Sequence, residues 1–421
     1  MNFLRQYRTI PALRLKHRSD GSPRQEPPQA AVALRSASLR LGVRHGICVA
    51  KMLDNVGLRY PHRASGAKAP RTLRPLPLLR FAVSATGGAH LCSIQYYLRF
   101  WLGICRTSLT VSALRIMRYC QRIGWNIMQY TIENEYLRLT VDTHGAEAVS
   151  VVNKATGAEM LWCGDPAVWG RHAPILFPYT GKLTGGKMIA KGKEYAGGQH
   201  GFARDVEHTL VGKTETSLTL VLQANEETRA KWPYEFELRS TFELVEKTVR
   251  HTLAVYNPSE PELRFGIGYH PAFAIPFDDA HTPADYEFRF DELESPLCVS
   301  CLPNGLLNGT DYHYLARNTR TVPLTDDLFD YDSHCMLNLR SKTLAIVEKD
   351  TGRAVRCNIE GYPYVLIWSK PEKPYRFVCI EPWHSLPGEE NGPLTWENRP
   401  CAAALHPGET WSTTLCTTFE R

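Results

Sequence analysis

The chain has 421 residues, of which 43% are hydrophobic, 10% aromatic and 22% charged. This composition excludes a collagen, a coiled coil and a wholly disordered chain, and the lack of an uncharged apolar run of about 18 residues excludes a polytopic membrane protein. The net charge of +6 is unevenly divided, because residues 1–127 hold 21 Lys and Arg against three acidic residues, whereas residues 128–421 have more acids than bases. The two parts of the chain therefore differ in charge, and we treat them as separate regions.

Residues 1–127 are rich in Arg and Pro and show neither a helical nor a strand period. We expect a basic extension with little regular structure. Three origins stay open: an organellar transit peptide, a basic arm for nucleic acid, or translated upstream sequence ahead of a true start at Met128. The strand-like segment that begins directly after Met128 favours the last. Aromatic residues that could stack on bases are not interleaved through the extension, so no nucleic-acid partner is predicted.

The twelve cysteines are scattered, which favours reduced thiols in a cytoplasmic protein. The one CxxC pair, Cys298 with Cys301, has no second pair to complete a zinc site. The sequence also lacks a phosphate-binding loop, a dinucleotide fingerprint and the Gly-x-Ser-x-Gly elbow of hydrolases. Neither a metal nor a cofactor is predicted.

Residues 128–421 follow the period of two that is typical of half-buried strands. The alternation is clear at 136–141, 217–222, 234–242, 248–255 and 343–347. Turn-forming segments rich in Gly, Pro, Asn and Asp separate these runs, and no helical window has convincing caps. The pattern predicts an all-β region, a single large antiparallel β-sandwich that spans residues 128–421.

Four segments interrupt the strand pattern, at 169–182, 199–204, 266–273 and 379–384. They carry His200 before a glycine, which allows close approach of a ligand, and His270 before a proline that ends its strand. They also carry Glu381 after an apolar strand, where a carboxylate is costly unless it has partners. Two imidazoles and one carboxylate at strand ends are a set suited to general acid–base chemistry.

The same segments resemble the aldose 1-epimerase (galactose mutarotase) superfamily, most closely its LacX-like branch. The matching motifs are His-Ala-Pro-Ile-Leu-Phe-Pro at 172–178, His-Gly-Phe-Ala-Arg at 200–204, Gly-Tyr-His-Pro-Ala-Phe at 268–273 and Ile-Glu-Pro-Trp at 380–383. The resemblance implies a β-supersandwich that interconverts the α and β anomers of a free aldohexose. It implies that Glu381 is the general base, that His270 is the general acid, and that His200 contacts the sugar near its ring oxygen.

Where the family carries an arginine for the sugar hydroxyls, this chain has Lys182, a point charge rather than a planar fork. Arg204 or Arg171 is the candidate substitute, Asp326 or Asp327 is the candidate for the family's sugar-binding aspartate, and Trp383, Trp169 and Tyr269 are candidates for an apolar sugar face. A hexose-6-phosphate mutarotase and a non-catalytic carbohydrate-binding module stay open as alternatives.

The sequence therefore predicts a small-molecule sugar as the partner, no membrane association, and a monomer or homodimer. It further predicts that Glu381 and His270 converge across a hollow wide enough for a pyranose.

Overall fold

The computed structural model describes residues 128–399 and 402–420. The expected basic extension, residues 1–127, lies outside them. The regular secondary structure of the described chain is almost all β-strand. In chain order the strands are β1 Gln129–Glu133, β2 Leu137–Asp142, β3 Glu147–Asn153, β4 Ile175–Leu176, β5 Lys187–Ala190, β6 Lys193–Ala196, β7 Thr209–Lys213, β8 Ser217–Gln223, β9 Glu237–Val245, β10 Thr248–Tyr256, β11 Leu263–Phe265, β12 Gly268–Tyr269, β13 Ala272–Ala274, β14 Tyr286–Glu294, β15 Leu297–Cys301, β16 Leu307–Tyr314, β17 Thr319–Pro323, β18 His334–Leu337, β19 Thr343–Glu348, β20 Ala354–Asn358, β21 Tyr364–Trp368, β22 Phe377–Trp383, β23 Ala403–Leu405 and β24 Thr410–Glu420.

Two large antiparallel sheets dominate the fold. One has nine strands in the order β17-β14-β19-β20-β24-β10-β9-β8-β7, and the other has eight in the order β16-β15-β18-β21-β22-β12-β4 with β13 also paired to β22. One continuous core joins them, since buried side chains such as Phe242 and Leu253 of the first sheet cluster with Val378 and Ile380 of the second. The predicted antiparallel β-sandwich is confirmed.

In β9 and β10, the alternation of residue types in the sequence corresponds to an alternation of buried and more exposed side chains. In both strands every second residue is buried and its neighbours are at least partly exposed, so one face of the sheet packs on the core and the other meets water. The internal strand β19 differs, because five of its six residues are buried. Ala345 and Val347 form a small separate apolar cluster with Ala354 on the outer face.

Helices are few and short. The expectation that the region has no capped helix is wrong at one place, where α1, Glu226–Lys231, begins with a capping box between Asn225 and Thr228. Six residues are too few to produce a visible helical period, which explains why the pattern missed it. Short 3-10 turns occur at Thr184–Gly186, Ala203–Asp205, Pro283–Asp285 and Trp396–Asn398. No helix among the described residues has the length and apolarity needed to cross a membrane.

A charged cluster ties the segment after β13 to the turn after β19. His281 Nδ1 lies 2.6 Å from Asp278 Oδ1, and its Nε2 lies 3.2 Å from Asp350 Oδ2. The Arg353 guanidinium contacts Asp278 and the fully buried carboxylate of Glu348. Hydrogen bonds to Asp278 and Asp350 raise the pKa of His281 to about 8.

This cluster predicts a pH-dependent stability. The ordinary pKa of histidine is about 6.5, so a higher pKa in the folded chain means that protonated His281 stabilises the fold. That stabilisation is complete below about pH 6.5 and is lost as the pH rises through about 8. We expect the urea midpoint to fall between about pH 6 and pH 9, and to fall less in His281→Gln. Equal falls in the two proteins would contradict the assignment.

Candidate active site

His200 is held in a constrained loop against β4. His200 and Gly201 both have left-handed backbones, with φ of 66° and 72°. A Cβ at Gly201 would lie 2.1 Å from the Phe177 carbonyl oxygen, so only glycine allows this approach. The same carbonyl accepts hydrogen bonds from the N–H groups of Phe202 and Ala203, at 3.0 and 3.1 Å.

Hydrogen bonds to Gly181 fix the His200 ring. The His200 N–H donates to the Gly181 carbonyl at 2.7 Å, and the Gly181 N–H donates to His200 Nδ1 at 3.0 Å. Because Nδ1 accepts, the ring proton resides on Nε2 when the imidazole is neutral. Burial, followed by the charges of His270, Arg204 and Lys182, lowers the pKa of His200 well below 6.5. His200 therefore presents a neutral N–H donor.

His270 and Glu381 meet at the middle of the eight-stranded sheet. β12 pairs with β22 through Gly268 and Trp383, and this pairing brings His270 beside Glu381. His270 Nε2 lies 3.2 Å from Glu381 Oε2, and the two residues are only 7% and 2% exposed. The two groups thus converge as predicted, but they touch each other instead of facing across a hollow.

Desolvation controls the charge state of this pair. Burial raises the pKa of the Glu381 carboxyl well above its ordinary value, and the charge of Asp332 adds to this. Burial also lowers the pKa of His270 to about 3, with a further lowering from the charge of Arg204. Both shifts disfavour the charged forms. Desolvation therefore favours an uncharged pair with its shared proton on the carboxyl group.

Aromatic side chains surround the two imidazoles. Trp169 stacks on His270 with ring centroids 5.0 Å apart, and Trp368 meets the same ring edge-on at 5.6 Å. The rings of His200 and His270 are perpendicular at 5.5 Å, and Trp383 lies 5.5 Å from His200. These contacts place both imidazoles in one wall of mixed polar and aromatic character.

Trp383 and Tyr269, which were predicted to form an apolar face for the sugar, make their main contacts with other parts of the protein. The Trp383 indole N–H donates to the Tyr269 carbonyl at 3.1 Å, and its ring occupies the space where a Cβ on Gly268 would sit. The Tyr269 hydroxyl lies 2.8 and 2.9 Å from the His251 and Thr413 carbonyl oxygens inside the core, which share its one hydrogen. Trp169 alone of the three candidates is partly exposed.

An open cleft adjoins His200. It has a volume of about 330 Å³, and its lining includes Lys182, Gln199, Asn304 and several glycines. The Lys182 ammonium donates to the Asn304 carbonyl at 2.8 Å. Since the charge of Lys182 lowers the pKa of His200, this cation lies close enough to act on the imidazole.

Arg204 lies near the same imidazoles. Its guanidinium donates from Nη2 to the Gln199 carbonyl at 2.9 Å, whereas the buried Nε has no hydrogen-bond acceptor within the described residues and lies 3.8 Å from Asp205 Oδ2. Burial and the charge of Arg171 lower the pKa of Arg204. Arg171 itself bonds to Glu147, Asp205 and the Arg204 carbonyl, so it serves the loop framework.

Glu147, which the sequence analysis did not single out, anchors this framework. Its buried carboxylate accepts the N–H groups of His172 and Ala173 at 2.6 and 3.0 Å and an Arg171 N–H at 3.3 Å. Burial opposes ionisation, but the contacts with His172 and Arg171 prevail and lower the pKa of Glu147 to about 2. The sequence feature that could have identified Glu147 is its position as a carboxylate among the apolar residues of β3.

The acidic candidate Asp326 lies apart from the imidazole pair. Its side chain is exposed, and its backbone carbonyl accepts a hydrogen bond from the Tyr375 hydroxyl at 2.7 Å. Within the described part of the chain, no recorded contact joins the Asp326 side chain to His200, His270 or Glu381. The charge that acts on Glu381 is that of Asp332, an exposed residue with a left-handed φ of 78°.

Comparisons with known proteins agree with this fold. Protein LacX, plasmid, of Lactococcus lactis subsp. lactis is 32% identical over 266 residues, which cover 62% of this chain and 88% of that protein. A galactose mutarotase related enzyme from Lactobacillus acidophilus matches with a TM-score of 0.66 and 32% identity, over 70% of this chain and 98% of its own. A galactose mutarotase-like protein from Lactobacillus casei gives a TM-score of 0.64 and 30% identity, over 70% of this chain and all of its own.

The fold is thus galactose mutarotase-like. A family model described as aldose 1-epimerase matches residues 128–416. The chain belongs to the aldose 1-epimerase family, a family of sugar isomerases, and the resemblance noted in the sequence is confirmed.

Proposed function

We propose that this protein is a mutarotase that interconverts the α and β anomers of a free aldohexose. The observation that carries the proposal is the buried contact of His270 Nε2 with Glu381 Oε2 at 3.2 Å, beside the His200 imidazole. The chain's family and its mutarotase-like neighbours support the same class of reaction. Beyond this class of reaction, we propose that the substrate is a free hexose and we assign roles to the individual side chains.

Anomer exchange requires two coordinated proton transfers. The C1 hydroxyl must lose a proton while the ring oxygen gains one, so that the bond between C1 and the ring oxygen breaks and the C1 carbonyl forms. These two oxygens are bonded to the same carbon, so the acid and the base must each come within hydrogen-bond distance of one of them. The 3.2 Å contact of His270 with Glu381 places an imidazole and a carboxyl group side by side, within reach of two such neighbouring oxygens.

In ring opening, the Glu381 carboxylate takes the proton of the C1 hydroxyl, and the His270 imidazolium gives its proton to the ring oxygen. Rotation about the C1–C2 bond then exposes the other carbonyl face, and the reverse transfers close the ring. The pair holds one proton throughout. Because burial favours the uncharged pair, the charged pair that begins ring opening lies higher in free energy than the uncharged pair, and the two transfers convert the first into the second.

The remaining polar groups are proposed to position the sugar. Neutral His200 donates from Nε2 to a sugar oxygen, since its Nδ1 is occupied by the Gly181 N–H. Lys182, which lines the cleft beside His200, and Arg204 are proposed to bind hydroxyl groups, and Trp383 is proposed to flank the sugar from its place beside His200. Asp326 remains a prediction as a hydroxyl ligand, although Asp332 is the acid that acts on Glu381.

Polarimetry tests the proposal. Fresh α-galactose, α-glucose and glucose 6-phosphate are followed with and without the purified full chain, and we expect faster loss of optical rotation with the free hexoses. A faster rate for the phosphorylated sugar would instead support the alternative in which Lys182 and Arg204 bind phosphate. Binding in saturation-transfer NMR without anomer exchange would support a carbohydrate-binding module, and no acceleration with any sugar would contradict a mutarotase.

A further inference from the structure

A thiol and two imidazoles share one face of the eight-stranded sheet at its β16 edge. In the antiparallel register Cys298 of β15 stands directly opposite His313 of β16 and Met336 of β18. His334 lies two residues before Met336 on β18, so its side chain projects to the same face and diagonally toward Cys298. Cys298 was noted in the sequence as half of a CxxC pair that had no partner pair.

The three side chains are close enough to bind one ion. One ligand atom from each of Cys298, His313 and His334 lies within 4.8 Å of the other two. Tetrahedral zinc, with bonds of about 2.3 Å to sulfur and about 2.0 Å to nitrogen, places its ligands roughly 3–4 Å apart. If the distances between the three ligand atoms shortened by about 1 Å, all three could therefore bind one zinc ion. His313 is exposed on an edge strand and Cys298 is fully buried, so the group is open to solvent on one side.

His334 gives the strongest indication of a ligand. Its Nε2 lies 2.6 Å from the Leu328 carbonyl oxygen. A carbonyl can only accept, so Nε2 carries the hydrogen and Nδ1 carries a lone pair when the ring is neutral. Nδ1 is buried and has no hydrogen-bond partner within the described residues. Metal-binding histidines commonly donate their other ring N–H to a backbone carbonyl in this manner.

His313 retains one nitrogen for coordination. Its Nδ1 lies 3.2 Å from the Ser300 hydroxyl, which leaves Nε2 as the free ring nitrogen. The rings of His313 and His334 lie 5.9 Å apart at 65°. One thiol and two imidazoles are borderline-soft ligands, which suit Zn²⁺ better than Mg²⁺ or Ca²⁺.

We propose that Cys298, His313 and His334 form a Zn²⁺ site, with water as the fourth ligand. On binding, the Cys298 thiol releases its proton as the sulfur–zinc bond forms. The site lies on the opposite face of the sheet from Glu381, because Glu381 pairs with Leu366 and Leu366 with Cys335, which immediately follows His334. It therefore ties edge strand β16 to β15 and β18 and stabilises the sheet, apart from the sugar site.

Cobalt provides a direct probe of the site. The full-length protein is titrated with Co²⁺ under reducing conditions, and we expect a thiolate-to-cobalt charge-transfer band with the visible bands of tetrahedral cobalt. Zn²⁺ should displace the cobalt and raise the melting temperature, whereas Mg²⁺ should do neither. Cys298→Ser and His313→Ala should each lose the charge-transfer band. Cys163→Ser, which removes an exposed free cysteine, is the matched control and should retain it.

The variant His313→Ala keeps the test decisive, because this residue is exposed and its replacement leaves the core intact. A charge-transfer band that persists in His313→Ala and in Cys298→Ser would assign the metal to other cysteines and overturn the proposal. Absence of any thiolate band in the wild-type protein would do the same. Mutarotation in His313→Ala should equal that of the wild type, since the two sites occupy opposite faces.

Discussion

A Glu381→Gln variant is expected to accelerate mutarotation about 10²–10⁴-fold less than the wild-type protein. The amide has nearly the shape of the carboxyl group but cannot take the proton from the C1 hydroxyl. Glu381 is 2% exposed and contacts His270, so solvent has little access to replace the missing base. The measurement is the initial rate of optical rotation change in fresh α-galactose and α-glucose.

The matched control for this experiment is Glu372→Gln, the same substitution at an exposed position in the loop before β22. It should leave the rate unchanged. Saturation-transfer NMR should show that Glu381→Gln still binds the sugar, which separates loss of proton transfer from loss of the site. Wild-type rates in a folded Glu381→Gln protein would refute the role proposed for this carboxylate.

A Trp232→Ala variant is expected to lose about 3–5 kcal/mol of unfolding free energy. Trp232 is fully buried, and its ring centroid lies 5.0–5.6 Å from those of Tyr234, Phe177, Phe236 and Trp396. Removing the indole leaves a cavity among rigid rings that cannot collapse freely. Urea denaturation followed by fluorescence provides the measurement.

Loss of the Trp232 indole should also loosen the loop that holds His200. Trp232 packs on Phe177, and the Phe177 carbonyl holds the two N–H groups that follow the His200 loop. Tyr331→Ala is the control, since Tyr331 is 94% exposed and its loss should change the unfolding free energy by less than about 0.5 kcal/mol. A Trp232→Ala protein as stable as this control would contradict the packing argument.

The strands were predictable because alternation is a local property. The run at 248–255 became β10, Thr248–Tyr256, with the expected buried face. The run at 234–242 began too early, since Tyr234 and Phe236 pack in the aromatic cluster around Trp232 before β9 begins at Glu237. A period of two in sequence does not distinguish a strand from an aromatic loop whose side chains alternate between buried and partly exposed in the same way.

The site was predictable only in part, because local sequence patterns do not show which distant residues come into contact. His200, His270, Glu381 and Trp383 could be chosen because each interrupts a strand pattern and belongs to a family motif. The Arg171 contact with Glu147 joins residues 24 positions apart, and the influence of Asp332 on Glu381 crosses 49 positions. Local sequence carries no record of such distances, and the prediction of Asp326 or Asp327 rests only on the aspartate that the family resemblance implies.

Strand β22 carries Glu381 at an internal position, with β21 on one side and β12 and β13 on the other. The cleft beside His200, by contrast, is formed by loop residues such as Gln199 and Asn304. Loop exchanges can therefore accumulate without disturbing the contact of His270 with Glu381. Under the proposed function, this arrangement lets evolution diversify the accepted sugar while inheriting the reaction unchanged, and laboratory redesign of specificity should begin with the same loops.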